Sequence, residues 1–313
     1  MNHNIFSISI AVFCLGLLWA CTAMLKPAFA QNTAQSTSKS NMAQSTMEPT
    51  DKLHPIASQK KFIIYYSDEQ PDDEFANYDV IVFDREAHPP LGNLNSKGKV
   101  LLGYLSGGEL DSTRSDFAKI KNNHILLEEN PNWKGSFIVD VRSPAWTAYL
   151  IEDVIPEILR QGFDGIFVDT LDSVEDLEVR NPTKYIGMIQ GTTNMIKTIR
   201  MHYPNMKIMI NRGYKILPHI ARDIDYVLAE GTMAEYNFET GKSKLFDDEI
   251  YQEYAQKVMD LKAKAPHLQI MAVDYWDMND IEGVKNIYLK HRDNGFIPYV
   301  TTIDLEQIHH QPW

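Results

Sequence analysis

The chain contains 313 residues, of which 44% are apolar and 11% aromatic, and this is enough to bury a large core. A disordered or fibrous protein is therefore excluded. Acidic side chains outnumber basic ones by 42 to 30, and the net charge of -12 disfavours binding to nucleic acid and to anionic lipid. Both cysteines, Cys14 and Cys21, lie near the amino terminus, so the rest of the chain has no thiol for a disulfide, a zinc site or a nucleophile.

The first thirty residues have the pattern of a signal peptide or a membrane anchor. An apolar run covers residues 5–18 and is followed by Ala28-Phe29-Ala30, a site of the kind that signal peptidase cleaves. Two alternatives are lipidation of Cys21 and an uncleaved helix over residues 5–25, which is long enough to cross a bilayer. Cleavage, lipidation and an uncleaved helix all predict that the rest of the chain is secreted or periplasmic. It would contact a membrane only through this segment.

Residues 31–60 are rich in Ser, Thr, Gln and Asn and contain Ala-Gln-Ser-Thr twice. Because this segment has too little apolar surface to offset its chain entropy, we predict a flexible polar linker there. The folded domain then covers residues 61–313, which is a typical length for a single α/β barrel.

Eight short apolar runs recur along this domain and are apolar on both faces, as expected of strands that are covered on both sides. The runs are Phe62–Tyr66, Val80–Phe83, Val100–Leu105, Gly165–Asp169, Lys207–Asn211, Tyr226–Glu230, Gln269–Asp274 and Phe296–Thr301. A further run at Phe137–Val141 predicts one extra strand outside this set.

Amphipathic stretches between several of the runs predict helices. One is capped by Ser143, begins at Pro144 and ends at Gly162, and the others cover residues 183–202, 247–265 and 279–292. Alternation of strands and helices favours a parallel sheet, and eight strands favour closure. The predicted fold is therefore α/β, a single (β/α)8 TIM barrel with one extra strand.

Polar side chains end most of the predicted strands. Because the carboxyl ends of the strands form the reactive face of such a barrel, these side chains are candidates for a site. They are Asp84, Glu109, Asp169, Asn211, Glu230 and Asp274. Single acids such as Asp111 and Asp172 are more simply explained as helix caps or loop ion pairs. Several carboxylates around one mouth repel one another, and such clusters are typical of sites that shift pKa values for catalysis.

A pair of carboxyl groups, one protonated and one ionised, is what hydrolysis of a glycosidic bond requires. Aromatic rings that stack on sugars are available near the same strand ends. They are Tyr65, Tyr66, Tyr104, Tyr275 and Trp276, of which Tyr65 fits the barrel interior equally well. The strand ends offer neither a pair of histidine ligands nor a lysine for a Schiff base, so we expect no metal and no Schiff-base chemistry.

Several short motifs follow one another in a characteristic order. They are Tyr104-Leu105-Ser106 with Gly108-Glu109, residues 140–146, residues 162–169 with Asp172, Asn211-Arg212-Gly213, and Asp274-Tyr275. In this order they resemble glycoside-hydrolase family 114, the TIM-barrel family named for endo-α-1,4-polygalactosaminidase. The resemblance implies cleavage of an amino-sugar polymer, with Asp169 as one functional carboxylate and without a nucleotide or redox cofactor.

The second carboxylate is Glu230 or Glu235. We prefer Glu230 because it ends an apolar strand, whereas Glu235 lies five residues further on. Asp169 is expected to be ionised, as nucleophile or charge stabiliser, and Glu230 to carry the proton as general acid. The residues expected to bind substrate are Tyr66, Asp84, Tyr104, Glu109, Asn211, Asp274, Tyr275 and Trp276.

Two functions from different classes fit these residues. The first is an exported glycosidase that acts on a galactosamine-containing polysaccharide, whose positive charge suits the acidic chain. The second is a catalytically inactive barrel that binds polysaccharide during envelope or matrix assembly. Because acids on the fourth and sixth barrel strands can meet the spacing of a retaining or of an inverting pair, the sequence fits either stereochemical outcome.

Overall fold

The computed structural model describes residues 60–115, 117–121 and 124–311. The predicted signal or anchor segment and nearly all of the predicted linker lie outside these residues. In chain order the strands are β1 (Phe62–Tyr65), β2 (Val80–Phe83), β3 (Val100–Ser106), β4 (Glu109–Asp111), β5 (Leu126–Glu129), β6 (Ser136–Val139), β7 (Gly165–Asp169), β8 (Lys207–Asn211), β9 (Tyr226–Glu230), β10 (Ala234–Asn237), β11 (Lys242–Leu245), β12 (Gln269–Tyr275) and β13 (Ile297–Thr301). Eight of them form one parallel sheet, in the order β1, β2, β3, β7, β8, β9, β12, β13.

The first and last strands of this sheet face each other across a seam and nearly close the barrel. The rings of Phe62 in β1 and Tyr299 in β13 meet edge to face, with centroids 6.2 Å apart. Beyond β13 the chain turns back to the same seam, where the amide of Tyr66 donates a hydrogen bond to the carbonyl of Leu305 at 2.8 Å. The predicted (β/α)8 barrel is confirmed, and its eight predicted strands agree with the observed ones to within one residue at each end.

Close approach of two strands explains one glycine in the barrel wall. Gly165 begins β7 opposite Lys207 of β8. A Cβ atom added at Gly165 would lie 1.9 Å from the carbonyl oxygen of Lys207, so no side chain fits there. Glycine at this position therefore sets the spacing of the two strands that carry Asp169 and Asn211 at their other ends.

The prediction of one extra strand was incomplete, since the described residues contain five strands outside the barrel. β4, β5 and β6 form an antiparallel sheet, and β10 and β11 form a hairpin directly after β9. The sequences of β10 and β11 are polar and partly exposed, so they contain no apolar run that would have indicated a strand. Both insertions follow the carboxyl ends of barrel strands and thus lie on the predicted reactive face.

The α-helices of the described residues are α1 (Gly92–Ser96), α2 (Phe117–Ile120), α3 (Pro144–Tyr149), α4 (Ile155–Arg160), α5 (Leu171–Arg180), α6 (Met188–His202), α7 (Leu217–Ile220), α8 (Asp248–Lys264) and α9 (Ile281–Asp293). None of the helices in this part of the chain is long and apolar enough to span a membrane.

The helices differ from the prediction in three places. The helix predicted between Pro144 and Gly162 contains a π-helical turn at Leu150–Val154, because Pro156 has no amide hydrogen and its ring clashes with the carbonyl four residues earlier. α6 begins at Met188, after Gly187 adopts a left-handed backbone with φ of 88°. The third difference concerns helices that the prediction did not include: the short α1, α2 and α7, and α5, whose apolar pattern is interrupted by four acidic residues.

Tyr299→Phe is expected to destabilise the seam. The Tyr299 hydroxyl donates to the carbonyl of Gln307 at 3.3 Å and accepts from the amide of His309 at 3.2 Å. Loss of both bonds should lower the free energy of unfolding by about 1–3 kcal/mol, measured by urea denaturation.

Tyr214→Phe is the matched control for this variant. The Tyr214 hydroxyl is buried and has no hydrogen-bond partner among the described residues, so its removal should not destabilise the protein. Equal losses of stability in the two variants would contradict the role assigned to the seam contacts.

Candidate active site

Three neighbouring barrel strands end in polar, buried residues: β7 in Asp169, β8 in Asn211 and β9 in Glu230. The next residue in each case has a left-handed backbone, with φ of 65° at Thr170, 52° at Arg212 and 58° at Gly231. For a residue other than glycine this conformation costs about 1–3 kcal/mol. The sharp turn leads the chain away from the barrel at once, and the three polar side chains meet on its inner face.

The amide of Asn211 joins the two carboxyl groups. Its Nδ2 donates to Asp169 Oδ1 at 2.8 Å and to Glu230 Oε2 at 2.5 Å. Because both protons of this nitrogen are used, one side chain fixes the two carboxyl groups relative to each other. The other atom of the amide, Asn211 Oδ1, is buried and has no hydrogen-bond partner among the described residues.

Two tyrosines supply further hydrogen bonds to this carboxyl pair. The hydroxyl of Tyr275 donates to Glu230 Oε1 at 2.5 Å, and that of Tyr104 donates to Asp169 Oδ2 at 3.3 Å. The ring of Tyr66 packs edge to face on Tyr104, with centroids 5.5 Å apart. Three of the tyrosines expected to bind substrate therefore lie in one buried cluster with the carboxyl pair.

Burial raises the pKa of both carboxyl groups. The pKa of Asp169 is held well above its usual range by burial and by the negative charges of Glu230 and Asp172. Burial also raises the pKa of Glu230, but the positive charge of Arg212 and the two hydrogen bonds that Glu230 accepts act to lower it. The pair therefore keeps a proton to higher pH than exposed carboxyl groups do.

The surroundings of the two carboxyl groups differ. Glu230 accepts two hydrogen bonds of 2.5 Å and is near a guanidinium, so an anion is well stabilised there. The hydrogen bonds from Asn211 and Tyr104 to Asp169 are longer, and the charge of Asp172 acts to raise the pKa of both carboxyl groups. These surroundings stabilise an anion on Glu230 better than on Asp169, and the expectation that Asp169 is ionised and Glu230 protonated stays a prediction.

A buried ion pair flanks the carboxyl pair. Arg212 is 6% exposed, and its Nη1 lies 3.3 Å from Oδ2 of Asp172 in the first turn of α5. Neither atom has a hydrogen-bond partner among the described residues. Arg212 follows Asn211 in one of the motifs singled out in the sequence, but it was not among the residues expected to form the site; its position directly after an apolar strand is the signal that indicates a buried charge.

Glu175 lies one turn after Asp172 on α5 and is buried. Its Oε1 accepts hydrogen bonds from the amides of Lys215 and Ile216 at 2.8 and 2.9 Å. Burial raises the pKa of Glu175 to about 7, against the effect of these two bonds. Glu175 therefore holds the turn after β8, close to Arg212, in place. Because its carboxyl group is buried, its ionised form is poorly solvated.

Asp84 ends its strand beside an arginine that sequence reasoning missed. Arg114 donates from Nη1 and Nη2 to the two oxygens of Asp84 at 3.1 and 2.6 Å. Although burial acts to raise it, these bonds and the charge of Arg114 hold the pKa of Asp84 below its usual range. The guanidinium also lies 5.6 Å from the ring centroid of Tyr104. Asp84 is therefore an ionised residue that orients Arg114 next to the tyrosine.

Glu109 begins β4 in the first insertion. Its carboxylate accepts hydrogen bonds from Asn130 at 2.8 Å, from Ser136 at 2.6 Å and from Ser173. Burial raises its pKa, against these three bonds. The contacts join the inserted sheet to α5, and a direct contact of Glu109 with substrate stays a prediction.

Asp274 comes directly before Tyr275 on β12 and bonds outward, to a helix and a loop. Its Oδ1 accepts the amides of Met233 and Ala234 at 2.9 and 2.8 Å, and its Oδ2 lies 2.6 Å from Nε2 of His291 in α9. Asp274 and His291 are both buried. These contacts hold the segment that follows β9, and a direct contact of Asp274 with substrate stays a prediction.

Trp276 lies directly after β12, and Glu235 lies in the hairpin that follows β9. Trp276 is partly exposed, and its Nε1 donates to Oδ2 of Asp280 at 3.0 Å, just before α9. Glu235 lies on β10 opposite Lys244 of β11. Within the described ranges, no three His, Cys, Asp or Glu side chains are arranged to hold a metal ion.

A parallel barrel whose strand ends hold two hydrogen-bonded carboxyl groups among tyrosines has the arrangement of a glycoside hydrolase. The chain belongs to glycoside-hydrolase family GH114, whose sequence profile matches residues 38–312. The resemblance drawn from the short motifs is confirmed.

Similar proteins share this domain over most of its length. An uncharacterized protein of Methanocaldococcus jannaschii is 26% identical over 301 residues, which is 87% of this chain and 84% of the relative. The glycoside hydrolase domain of PelA from Pseudomonas aeruginosa has a TM-score of 0.71 at 22% identity, covering 80% of this chain and 98% of that domain. Ega3 from Aspergillus fumigatus, solved in complex with galactosamine, has a TM-score of 0.59 at 14% identity, covering 79% of this chain and 92% of that one. The two solved structures share the barrel fold.

Glu175→Gln should remove part of the pH dependence of stability. Because the pKa of Glu175 rises from 4.5 to about 7 on folding, its contribution is fully present below pH 4.5 and is lost as the pH rises through 7. The loss amounts to about 3 kcal/mol. A glutamine keeps the acceptor for the two amides and does not titrate.

The check is urea unfolding at pH 5 and pH 8. The wild type should lose more stability between these values than Glu175→Gln does, and the exposed Glu157→Gln on α4 should behave like the wild type. Identical pH dependence in all three proteins would show that Glu175 does not titrate in this range.

Proposed function

We propose that the protein is an exported glycosidase that cleaves a galactosamine-containing polysaccharide by paired-carboxylate catalysis. The observation that carries the proposal is the amide of Asn211, which holds Asp169 and Glu230 together in a buried cluster of tyrosines. Such a pair, with raised pKa values, is the chemical requirement for acid catalysis of glycoside cleavage near neutral pH.

Family membership and the galactosamine bound by Ega3 support an amino sugar as substrate. The acidic balance of the chain, with its net charge of -12, favours attraction of a polymer that carries protonated amines. Tyrosines beside the carboxyl pair are suited to packing against sugar rings. The apolar amino-terminal run supports export to the periplasm or the medium, where such polymers are found.

The geometry favours retention of configuration. Since one nitrogen bonds both carboxyl groups, the two bonded oxygens lie no more than about 5.3 Å apart, and the carboxyl groups of retaining glycosidases lie about 5–5.5 Å apart, against about 6.5–9.5 Å for inverting ones. In the retaining reaction a carboxylate attacks the anomeric carbon while its partner protonates the leaving oxygen. The partner then takes a proton from water while the water oxygen attacks the anomeric carbon, and this breaks the bond between the sugar and the carboxylate and restores both side chains.

We assign Asp169 as the nucleophile and Glu230 as the acid and base. This assignment requires the proton of the pair to lie on Glu230 in the substrate complex. The longer side chain of Glu230, at the end of β9, is suited to reach a leaving oxygen.

A polysaccharide-binding barrel without activity is the second candidate, and substitution of the pair separates the two. Asp169→Asn and Glu230→Gln keep the shape of the side chains and should each lower turnover at least ~100-fold with folding intact. The assay follows new reducing ends from partially deacetylated galactosamine polymer. Glu235→Gln is the matched control and should keep wild-type activity.

A second experiment distinguishes the nucleophile from the acid. The Asp169→Gly and Glu230→Gly variants are incubated with azide and a substrate that has a good leaving group, and the glycosyl azide formed is identified. The nucleophile variant should yield a glycosyl azide of inverted configuration, and the acid variant one of retained configuration. Wild-type rates in Asp169→Asn or Glu230→Gln would show that the pair is misassigned. Polymer binding by a wild type that releases no reducing ends would favour the binding barrel.

A further inference from the structure

Two insertions on the reactive face of the barrel meet through aromatic rings. Trp133 lies in the turn between β5 and β6, and Phe238 lies in the turn between β10 and β11. Their ring centroids are 5.3 Å apart with the planes at 85°, and Tyr236 of β10 packs edge to face on Phe238 at 5.0 Å. The first insertion follows β3 and the second follows β9, so this aromatic cluster joins segments from either side of β7 and β8. These two strands end in Asp169 and Asn211.

Backbone hydrogen bonds fix the two turns that carry the rings. The amide of Trp133 donates to the carbonyl of Asn130 at 3.2 Å, and the carbonyl of Trp133 accepts from the amide of Ser136 at 3.0 Å. In the hairpin, the amide of Gly241 donates to the carbonyl of Asn237 at 2.8 Å. A ligand that contacts the rings therefore does not have to order the turns first, which favours binding.

Both insertions are also held by residues next to the carboxyl pair. Asn130 donates from Nδ2 to Glu109 at 2.8 Å, and Glu109 also accepts a hydrogen bond from α5, which begins two residues after β7. The amide of Ala234 donates at 2.8 Å to Asp274, which precedes the pair's hydrogen-bond donor Tyr275. At about 3.3 Å per residue, the ring at the hairpin turn lies up to about 13 Å beyond Ala234. The aromatic cluster therefore extends the same face outward from the pair.

The exposure of Phe238 indicates a ligand. Its side chain is 41% exposed, in a turn whose other residues are asparagine, glutamate, threonine and glycine. Trp133 and Tyr236 are partly exposed as well. Rings that only joined the insertions would be more stable if they were buried, whereas exposed aromatic groups beside a site are typical of ligand contacts. Flat rings of this kind are suited to packing against the apolar faces of sugars.

We propose that the aromatic cluster is a second carbohydrate-binding site, which holds sugar units of the polysaccharide beyond those at the Asp169–Glu230 pair. The inference rests on the proposed function for the identity of the polysaccharide. Two contacts on one chain raise the affinity for a long substrate, because the second contact forms within the complex. A short oligosaccharide that occupies only the units at the pair does not gain from it. The cluster therefore favours long chains over short ones.

Phe238→Ala tests the inference, since it removes the most exposed ring of the cluster. The substrates are a long galactosamine polymer and the shortest galactosamine oligosaccharide that the wild type cleaves. On the polymer, kcat/KM should fall at least ~5-fold, mainly through KM, and on the oligosaccharide it should change less than ~2-fold. Phe238→Trp keeps a flat ring and should keep the wild-type rate on the polymer. Phe238→Leu keeps apolar contact without a flat ring and should resemble Phe238→Ala.

Phe117→Ala is the matched control, because it also removes one ring of an aromatic pair. Phe117 packs on Phe137, with centroids 6.0 Å apart. Phe137 follows Ser136, whose hydroxyl donates to Glu109, so Phe137 points to the opposite face of the inserted sheet. The control should match the wild type on both substrates.

Three outcomes would overturn the inference. Equal losses on the polymer and the oligosaccharide in Phe238→Ala would show that the rings only hold the insertions in place. Full activity of Phe238→Leu on the polymer would show that apolar contact is enough. A wild-type rate of Phe238→Ala on the polymer would show that the ring does not contact the chain.

Direct binding separates this inference from the proposed hydrolysis. Native electrophoresis in gels that contain the polymer measures binding in the Asp169→Asn background, which should leave the polymer intact. Adding Phe238→Ala should weaken the retardation, whereas adding Phe117→Ala should not. Neither substitution changes the charge, so attraction between the acidic chain and a cationic polymer is the same in all three proteins.

The two proposals can fail separately. If the wild type cleaves neither substrate, the proposed glycosidase fails, while the retardation of the wild type and of Phe238→Ala still tests the aromatic cluster. Unchanged retardation in Phe238→Ala would contradict the second carbohydrate-binding site.

Discussion

One amide, that of Asn211, makes it possible for two carboxyl groups to be buried side by side. β8 lies between β7 and β9 in the sheet, so the residue that ends β8 is the one placed to reach the ends of both neighbours. Asn211 donates to Asp169 and to Glu230 from the same nitrogen. The residue after each of the three strands has a left-handed backbone conformation, so each strand ends directly after its polar side chain. The spacing of the pair, its shared proton and its proposed chemistry all depend on this arrangement.

The buried acids of the barrel fall into two groups according to their partners. Asp84 is neutralised by Arg114, Asp274 is bound by two amides and His291, and Glu109 accepts three side-chain hydrogen bonds. These groups hold insertions, loops and helices in place. Asp169 and Glu230 instead lie side by side, and burial together with the charge of Asp172 raises the pKa of both, which leaves the pair available for a proton.

The sequence predicts the barrel strands and most of the residues that end them, because an apolar run fixes where a buried strand stops and closure brings the ends together. It does not predict which of two neighbours at a strand end points inward. Tyr275 bonds to Glu230, whereas Asp274, one residue earlier, bonds to α9. Arg114 belongs to an insertion without an apolar pattern, so its position opposite Asp84 follows only from the folded chain. The unequal surroundings of Asp169 and Glu230 depend on Arg212, whose buried position is likewise a property of the fold.

The central claim is that Asp169 and Glu230, held by Asn211, act as a retaining pair on a galactosamine polymer. The most direct measurement is proton NMR of the first product released from an α-linked galactosamine oligosaccharide, recorded before the anomers equilibrate. Retention predicts that the α-anomer appears first and that the β-anomer grows in later by mutarotation. Appearance of the β-anomer first would contradict a nucleophilic carboxylate within the spacing that Asn211 imposes.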